Sequence, residues 1–422
     1  MNRRRVACIC LAALCVPVGG GAQTEVSVRV GEGIRSVENP FQFPSGSTDP
    51  LKRDDTVRTT DVGVAIRTPM PSDRSFLSIG ATASQQRYDA LPQLDHTERQ
   101  LDALYQWEYG TVLRGRVRHR YDERLYNYYG GFLTTLETPH ATQDLAELSL
   151  RITPELELPV TVTRGSLSYS DAGLSQRYNQ EDRGLQLALS YTSGRNSVFR
   201  AGVRQADVRY PNRSAADVAA IDSGFTEREA FVDVSWRYSQ DTAVFGRIGK
   251  LDRTFNSLAN RDTQLVSVSS GLEWRYSPKT FLFVRGYRQP QSNAQADVRL
   301  YVISTGLEAR LQYDMTAKTR IGLTGGYEQQ KYQGFSNTSA VATGGTDKVT
   351  RVGATVEYQP TLRVLLRGEL AHQRNEVDPV ASTLGQFSRN TLQLGLSYTF
   401  ENMLGTNRAH TLLDTMRYDR IQ

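Results

Sequence analysis

The sequence predicts an all-β fold: a transmembrane, antiparallel, up-and-down β-barrel of about eighteen strands, with sixteen the other count considered and both termini periplasmic. Three observations predict it. Extended segments of roughly ten to fifteen residues, the length a tilted membrane strand needs, recur from Thr24 to Phe400. Within them apolar and polar side chains alternate, so each segment has one apolar face. The connections alternate between short and long, the asymmetry of a barrel with tight turns on one rim and loops on the other. No apolar run beyond the first two dozen residues is long enough for a membrane helix.

In chain order the segments are 24–35, 56–68, 74–88, 97–108, 112–124, 142–152, 158–170, 179–192, 197–210, 225–238, 242–254, 262–276, 280–289, 298–312, 318–332, 347–359, 362–374 and 389–400. Short turns follow the even-numbered ones, such as Tyr109-Gly110-Thr111, Ser277-Pro278-Lys279 and Pro360-Thr361. Long polar connections follow the odd-numbered ones, among them 36–55, 125–141, 211–224, 334–346 and 375–388. An even count returns both ends of the chain to the short-turn rim. No fixed repeat period of the kind a soluble β-solenoid needs is present.

The last segment shows the pattern. Leu392, Leu394, Leu396, Tyr398 and Phe400 share one face, and Thr391, Gln393, Gly395, Ser397 and Thr399 the other. Leu185, Leu187, Leu189 and Tyr191 repeat it, as do Val232, Val234, Trp236 and Tyr238, and Val266, Val268, Leu272, Trp274 and Tyr276. Aromatics close the lipid faces at the short-turn end. Trp107, Tyr109, Tyr313 and Tyr358 fall at the same level, so the expected membrane girdle is Trp107, Tyr191, Trp236, Tyr238, Trp274, Tyr276, Tyr358, Tyr398 and Phe400.

Before the barrel, residues 1–22 read as a secretory signal: Arg3-Arg4-Arg5, an apolar core from Val6 to Val18, and Gly20-Gly21-Ala22 before Gln23. Cys8, Cys10 and Cys15 all lie within it, so the mature chain has no cysteine for a disulfide or a metal site. The formal charge of +5 includes those three arginines; removing them leaves 47 basic and 45 acidic residues, a net +2 that gives no reason to expect nucleic acid. The organisation is therefore a signal over 1–22, a barrel over 23–400 and a periplasmic tail over 401–422. In the tail Leu412, Leu413 and Met416 have helical spacing, suited to a lumen plug or a periplasmic contact, and a disordered extension fits equally.

The polar face carries the functional signal. Among 50 basic residues only six are lysines, and the arginines alternate along strands, as in Arg114, Arg116, Arg118 and Arg120. A charge facing lipid at mid-membrane costs about 2–4 kcal/mol, so these side chains face the lumen. Arg237, Arg275, Arg310, Arg320 and Arg351 share that face with the acids Asp102, Glu147, Asp233, Glu273, Glu308, Glu328, Glu357 and Glu369. Cross-strand Arg–Glu pairs account for most of them; the surplus of arginine suits an anionic substrate. Phe281, Phe283 and Tyr287 point inward beside Arg285, where they either stack on sugar rings or fill a constriction. The candidate substrate path is Arg114, Arg116, Arg118, Arg200, Arg204, Arg247, Arg285, Phe283, Tyr287, Arg363 and Arg367. His96, His119, His140, His372 and His410 have no zinc-binding spacing, and no serine sits in a nucleophile setting. Gly325-Gly326 reads as a strand kink, since no helix follows to hold a phosphate. No cofactor, metal or catalytic residue is expected.

Asp54-Asp55-Thr56-Val57-Arg58-Thr59, Gln86-Arg87-Tyr88-Asp89-Ala90-Leu91 and Val208-Arg209-Tyr210-Pro211-Asn212-Arg213, with Trp236 and Trp274, resemble the outer-membrane barrels of exosortase-associated exopolysaccharide clusters, the EpsL type. The resemblance runs over nearly the whole mature chain; the extension past Phe400 departs from it. It implies a Gram-negative outer-membrane conduit, without chemistry of its own, that exports an exopolysaccharide delivered by a periplasmic synthesis or export complex. The alternatives are a general or sugar-selective diffusion porin and an outer-membrane hydrolase.

Overall fold

The computed structural model describes residues 24–70, 74–126, 128, 133–259, 262–291, 301–333, 345–377 and 385–401. The signal and nearly all of the tail read in the sequence lie outside these residues. Eighteen strands run in chain order: β1 Glu25–Val37, β2 Asp55–Pro69, β3 Phe76–Tyr88, β4 His96–Tyr109, β5 Leu113–Glu123, β6 His140–Arg151, β7 Leu156–Ser168, β8 Gln180–Thr192, β9 Val198–Arg209, β10 Gly224–Arg237, β11 Thr242–Phe255, β12 Thr263–Ser277, β13 Thr280–Gln291, β14 Tyr301–Asp314, β15 Thr319–Gln333, β16 Thr346–Thr361, β17 Val364–Glu376 and β18 Phe387–Glu401. Each pairs antiparallel with its sequence neighbours, and β18 pairs with β1 from Ser27↔Glu401 to Val37↔Thr391. The sheet is closed.

Closure satisfies every strand edge, which a membrane demands because lipid offers no hydrogen-bonding partner. The faces sort as the alternation predicts. Leu392, Leu394 and Leu396 are about half exposed on the outside, as are Leu185, Leu187 and Leu189, whereas the intervening residues turn inward. At the short-turn rim the outer face ends in aromatics: Trp107 stacks on Tyr105 at 5.3 Å, Trp236 meets Tyr238 edge-on at 5.6 Å, and Trp274 meets Tyr276 at 5.1 Å. Tyr191, Tyr358, Tyr398 and Phe400 are exposed at the same end of their strands.

Three local details differ from expectation. Gly325 and Gly326 keep an unbroken register with both neighbours, so β15 has no kink there. β7 starts earlier than the segment 158–170 and carries Pro159 in its interior; the β7–β8 pairing passes over Leu158 and Pro159, where proline has no N–H to donate. Two short helices interrupt connections read as irregular: α1 Ala172–Tyr178, capped by Asp171, and α2 Ala215–Ile221, started by a capping box in which Ser214 and Asp217 exchange side-chain-to-backbone hydrogen bonds.

Candidate functional site: the lumen wall

Register decides what the inward arginines do. Arg116 lies directly across from Glu147 on β6 and meets it at 3.0 Å. Arg118 grips Asp102 with Nε at 3.0 Å and a terminal nitrogen at 2.7 Å, and Arg120 reaches the same carboxylate at 3.1 Å. Arg114 pairs with Glu157, which also holds Arg151 at 3.1 Å. On β9–β11, Glu229 takes Arg247 at 2.7 Å and Arg204 at 3.9 Å, while Asp233 takes Arg200 at 3.4 Å. Six of the candidate path arginines therefore stand beside carboxylates and brace the wall from β4 to β11.

An aromatic shelf follows. Phe245 and Phe283 stack at 5.7 Å with an interplanar angle of 18°, and Arg247 lies 3.8 Å over the ring of Phe231. Arg285 lies 5.4 Å from the ring centre of Tyr287. The rings lie against the wall because glycines stand beside them. A Cβ on Gly271 would come within 2.2 Å of Phe245, and one on Gly306 within 2.5 Å of Tyr287. Alternation places Phe283, Arg285 and Tyr287 on this face as expected; Phe231 and Phe245, which complete it, were legible from the same alternation along β10 and β11.

The opposite wall, β14 to β18, is different in balance. A cavity of about 510 Å³ there is lined by Arg310, Arg320, Arg351, Arg367 and Arg389, against two acids, Glu357 and Glu369. Arg320 is held by Asp314 at 2.7 Å, Arg351 by Glu328 at 3.4 Å and Arg367 by Glu369 at 2.8 Å. Arg389 donates to the Gln373 amide oxygen at 3.1 Å. Among the described residues no carboxylate stands within 4.0 Å of Arg310, Arg389 or Arg285. An uncompensated guanidinium in a water-filled lumen attracts anions. Arg363 departs from its expected place. It sits in the tight turn before β17, with its guanidinium 3.5 Å from the Tyr398 hydroxyl and 5.8 Å from the centre of the Phe400 ring, and so belongs to the girdle rim.

Above the lumen, the loops after β1, β3, β5 and β7 pack on one another. Phe41, Phe43, Tyr126, Tyr128, Tyr169, Leu174 and Tyr178 form a buried cluster with Val37, Val57 and Tyr88, which face inward near the ends of their strands. This roof rests on the inner wall of β1 to β3 and on Leu167 of β7. Phe41 is fully buried and meets Tyr128 edge-on at 4.9 Å. Three carboxylates lock neighbouring loops together. Glu137 accepts from the Ser170 amide at 2.8 Å, the Ser170 hydroxyl at 2.7 Å and the Asp171 amide at 2.8 Å. Asp55 accepts from the amides of Ala90 and Leu91, and Asp222 from those of Ser257 and Leu258. The loop aromatics had no periodicity to reveal them; the signal available was Phe41-Gln42-Phe43 and Tyr126-Asn127-Tyr128 in stretches read as polar.

Burial pushes the phenols of Tyr128 and Tyr169 above the ordinary 10.0. Tyr128 also donates to the Thr135 carbonyl at 2.8 Å, a bond its phenolate could not make. Below pH 10 both the packed and the opened loop keep the proton, and the roof has its full stability. Above it the opened loop ionises first, so roof stability falls with rising pH. Near-ultraviolet titration should show a late-ionising fraction that opens the loops to protease; a single transition for all tyrosines would contradict this.

No protein-family model matches the chain, and no curated protein matches its sequence. Solved structures do. OccK2 (OpdF) of Pseudomonas aeruginosa aligns over 91% of this chain and 99% of its own, at 11% identity and a TM-score of 0.51. The shared property is the fold. OccK9 (OpdG) of the same organism aligns over 90% of this chain and 99% of its own at 12% identity, with a TM-score of 0.48. OccAB3 of Acinetobacter baumannii does so at 9% identity over 90% and 99%, with a TM-score of 0.47. The chain is a closed, eighteen-stranded transmembrane barrel.

Proposed function

We propose that the protein is a passive outer-membrane channel, a diffusion porin selective for small anionic solutes. The observation that carries this reading is the arginine-rich cavity on β14 to β18, whose volume of about 510 Å³ suits a small solute. The roof supports it: loops packed on one side of the mouth admit small molecules more readily than a continuous polymer. The aromatic shelf on β10 to β13, next to the cavity wall, adds surface on which a ring can slide. OccK2 (OpdF) has the same fold, which supports the reading of a barrel channel.

Export of an exopolysaccharide, which the sequence resemblance implies, is the competing reading. One experiment separates the two. Purified protein in a planar bilayer under a potassium chloride gradient should conduct steadily without any partner, with a reversal potential on the chloride side. A pore that stays shut alone, together with loss of secreted polymer in a deletion strain, would establish the conduit instead.

A further inference from the structure

The two rims of the outer face end in different chemistry. At the short-turn rim the lipid-facing positions close in aromatics. At the long-loop rim they close in exposed cations, including Arg58, Arg87, Arg99, Arg164, Arg183 and Arg228. Two have acidic neighbours: Arg99 meets Glu123 at 3.1 Å and Arg58 meets Asp89 at 3.5 Å.

Arg164 of β7 and Arg183 of β8 stand apart. The register sets them directly opposite one another, where side chains are close and like charges repel. Among the described residues neither has a carboxylate within 4.0 Å. Asp144 lies across from Arg164 and Asp207 across from Arg183, but each turns to another group, Asp144 to His119 at 2.7 Å and Asp207 to the Thr226 hydroxyl at 2.7 Å, and neither closes an ion pair with the arginine beside it. The two acids soften the repulsion between the exposed guanidiniums without bridging them, and an anion that bridges both removes what is left.

Their height shows which anion. Val162 and Leu185, both exposed on the lipid face, lie two residues from Arg164 and Arg183, roughly 7 Å along each strand. The pair therefore sits at the edge of the apolar band, at headgroup depth, rather than in open water. We propose that Arg164 and Arg183 form a binding site for the phosphate of an anionic lipid headgroup in the leaflet on the long-loop side, fixing the depth and orientation of the barrel. This site is independent of what the lumen carries.

The test is native mass spectrometry of the folded barrel in detergent, offered diphosphorylated lipid A, dephosphorylated lipid A or phosphatidylcholine. The wild-type protein should retain the diphosphorylated lipid, and retain the other two equally poorly. R164Q/R183Q should weaken retention roughly 30-fold, R164K/R183K should keep most of it, and R195Q/K279Q, on short-turn residues, should leave it unchanged. An equal amount of inorganic phosphate should not displace the lipid. Equal retention of phosphorylated and dephosphorylated lipid would overturn the site, as would an equal loss in R195Q/K279Q or displacement by free phosphate. The wild-type comparison stands even where a variant fails to fold.

Discussion

Phe41→Ala should raise the single-channel conductance and expose the β1–β2 loop to protease while the barrel stays folded. Phe41 is fully buried among loop aromatics, and removing such a ring costs about 3–5 kcal/mol in lost transfer and cavity energy. The loss falls on the roof, because no strand pairing depends on that side chain. Glu137→Ala should act in the same direction by another route: it leaves the Ser170 and Asp171 amides without their acceptor, at about 1–3 kcal/mol for each buried orphan. The two lesions share a cluster, so their combined effect should fall short of the sum. Conductance that stays unchanged while protease cuts the loop would mean that the roof does not restrict the path.

The barrel was legible in the sequence because each strand carries its own signal. Leu392, Leu394 and Leu396 alternate whether or not β17 and β1 are known, and lipid rewards that alternation in every strand. The roof was not legible, because its stability belongs to no single segment. Phe41, Tyr128, Tyr169 and Tyr178 come from three loops far apart in the chain, and only folding brings them together. The charge balance of the lumen lay between these extremes. That Arg116 and Arg367 face inward follows from alternation. That Arg116 meets Glu147 squarely, while Arg310 meets no carboxylate among the described residues, follows from register, which no single strand contains. Arg363 shows the limit of alternation: its parity points inward, but a residue in a tight turn follows the turn. The capping box of α2, Ser214-Ala215-Ala216-Asp217, was a readable helix start inside a connection assigned as loop.

Reversing Arg351, Arg367 and Arg389 to Glu should switch the channel from anion- to cation-selective. Each change moves one wall residue from +1 to −1, so the three shift the cavity by about six charges within a Debye length of roughly 10 Å at 0.1 M salt. Glu328, Glu357 and Glu369, which now offset Arg351 and Arg367, would add to the new field rather than oppose it. The measurement is the sign of the reversal potential under a salt gradient. The same reversal at Arg114, Arg116 and Arg118 should behave differently. Those arginines satisfy Glu157, Glu147 and the buried Asp102, and stranding a buried partner costs about 3–5 kcal/mol. The expected result there is a poor yield of folded barrel with little change of selectivity in what folds. A clean switch from the β5 arginines and none from the β16–β18 set would place the anion path on the opposite wall. The contrast works because both sets present three arginines to one lumen and differ chiefly in how fully their charge is already answered.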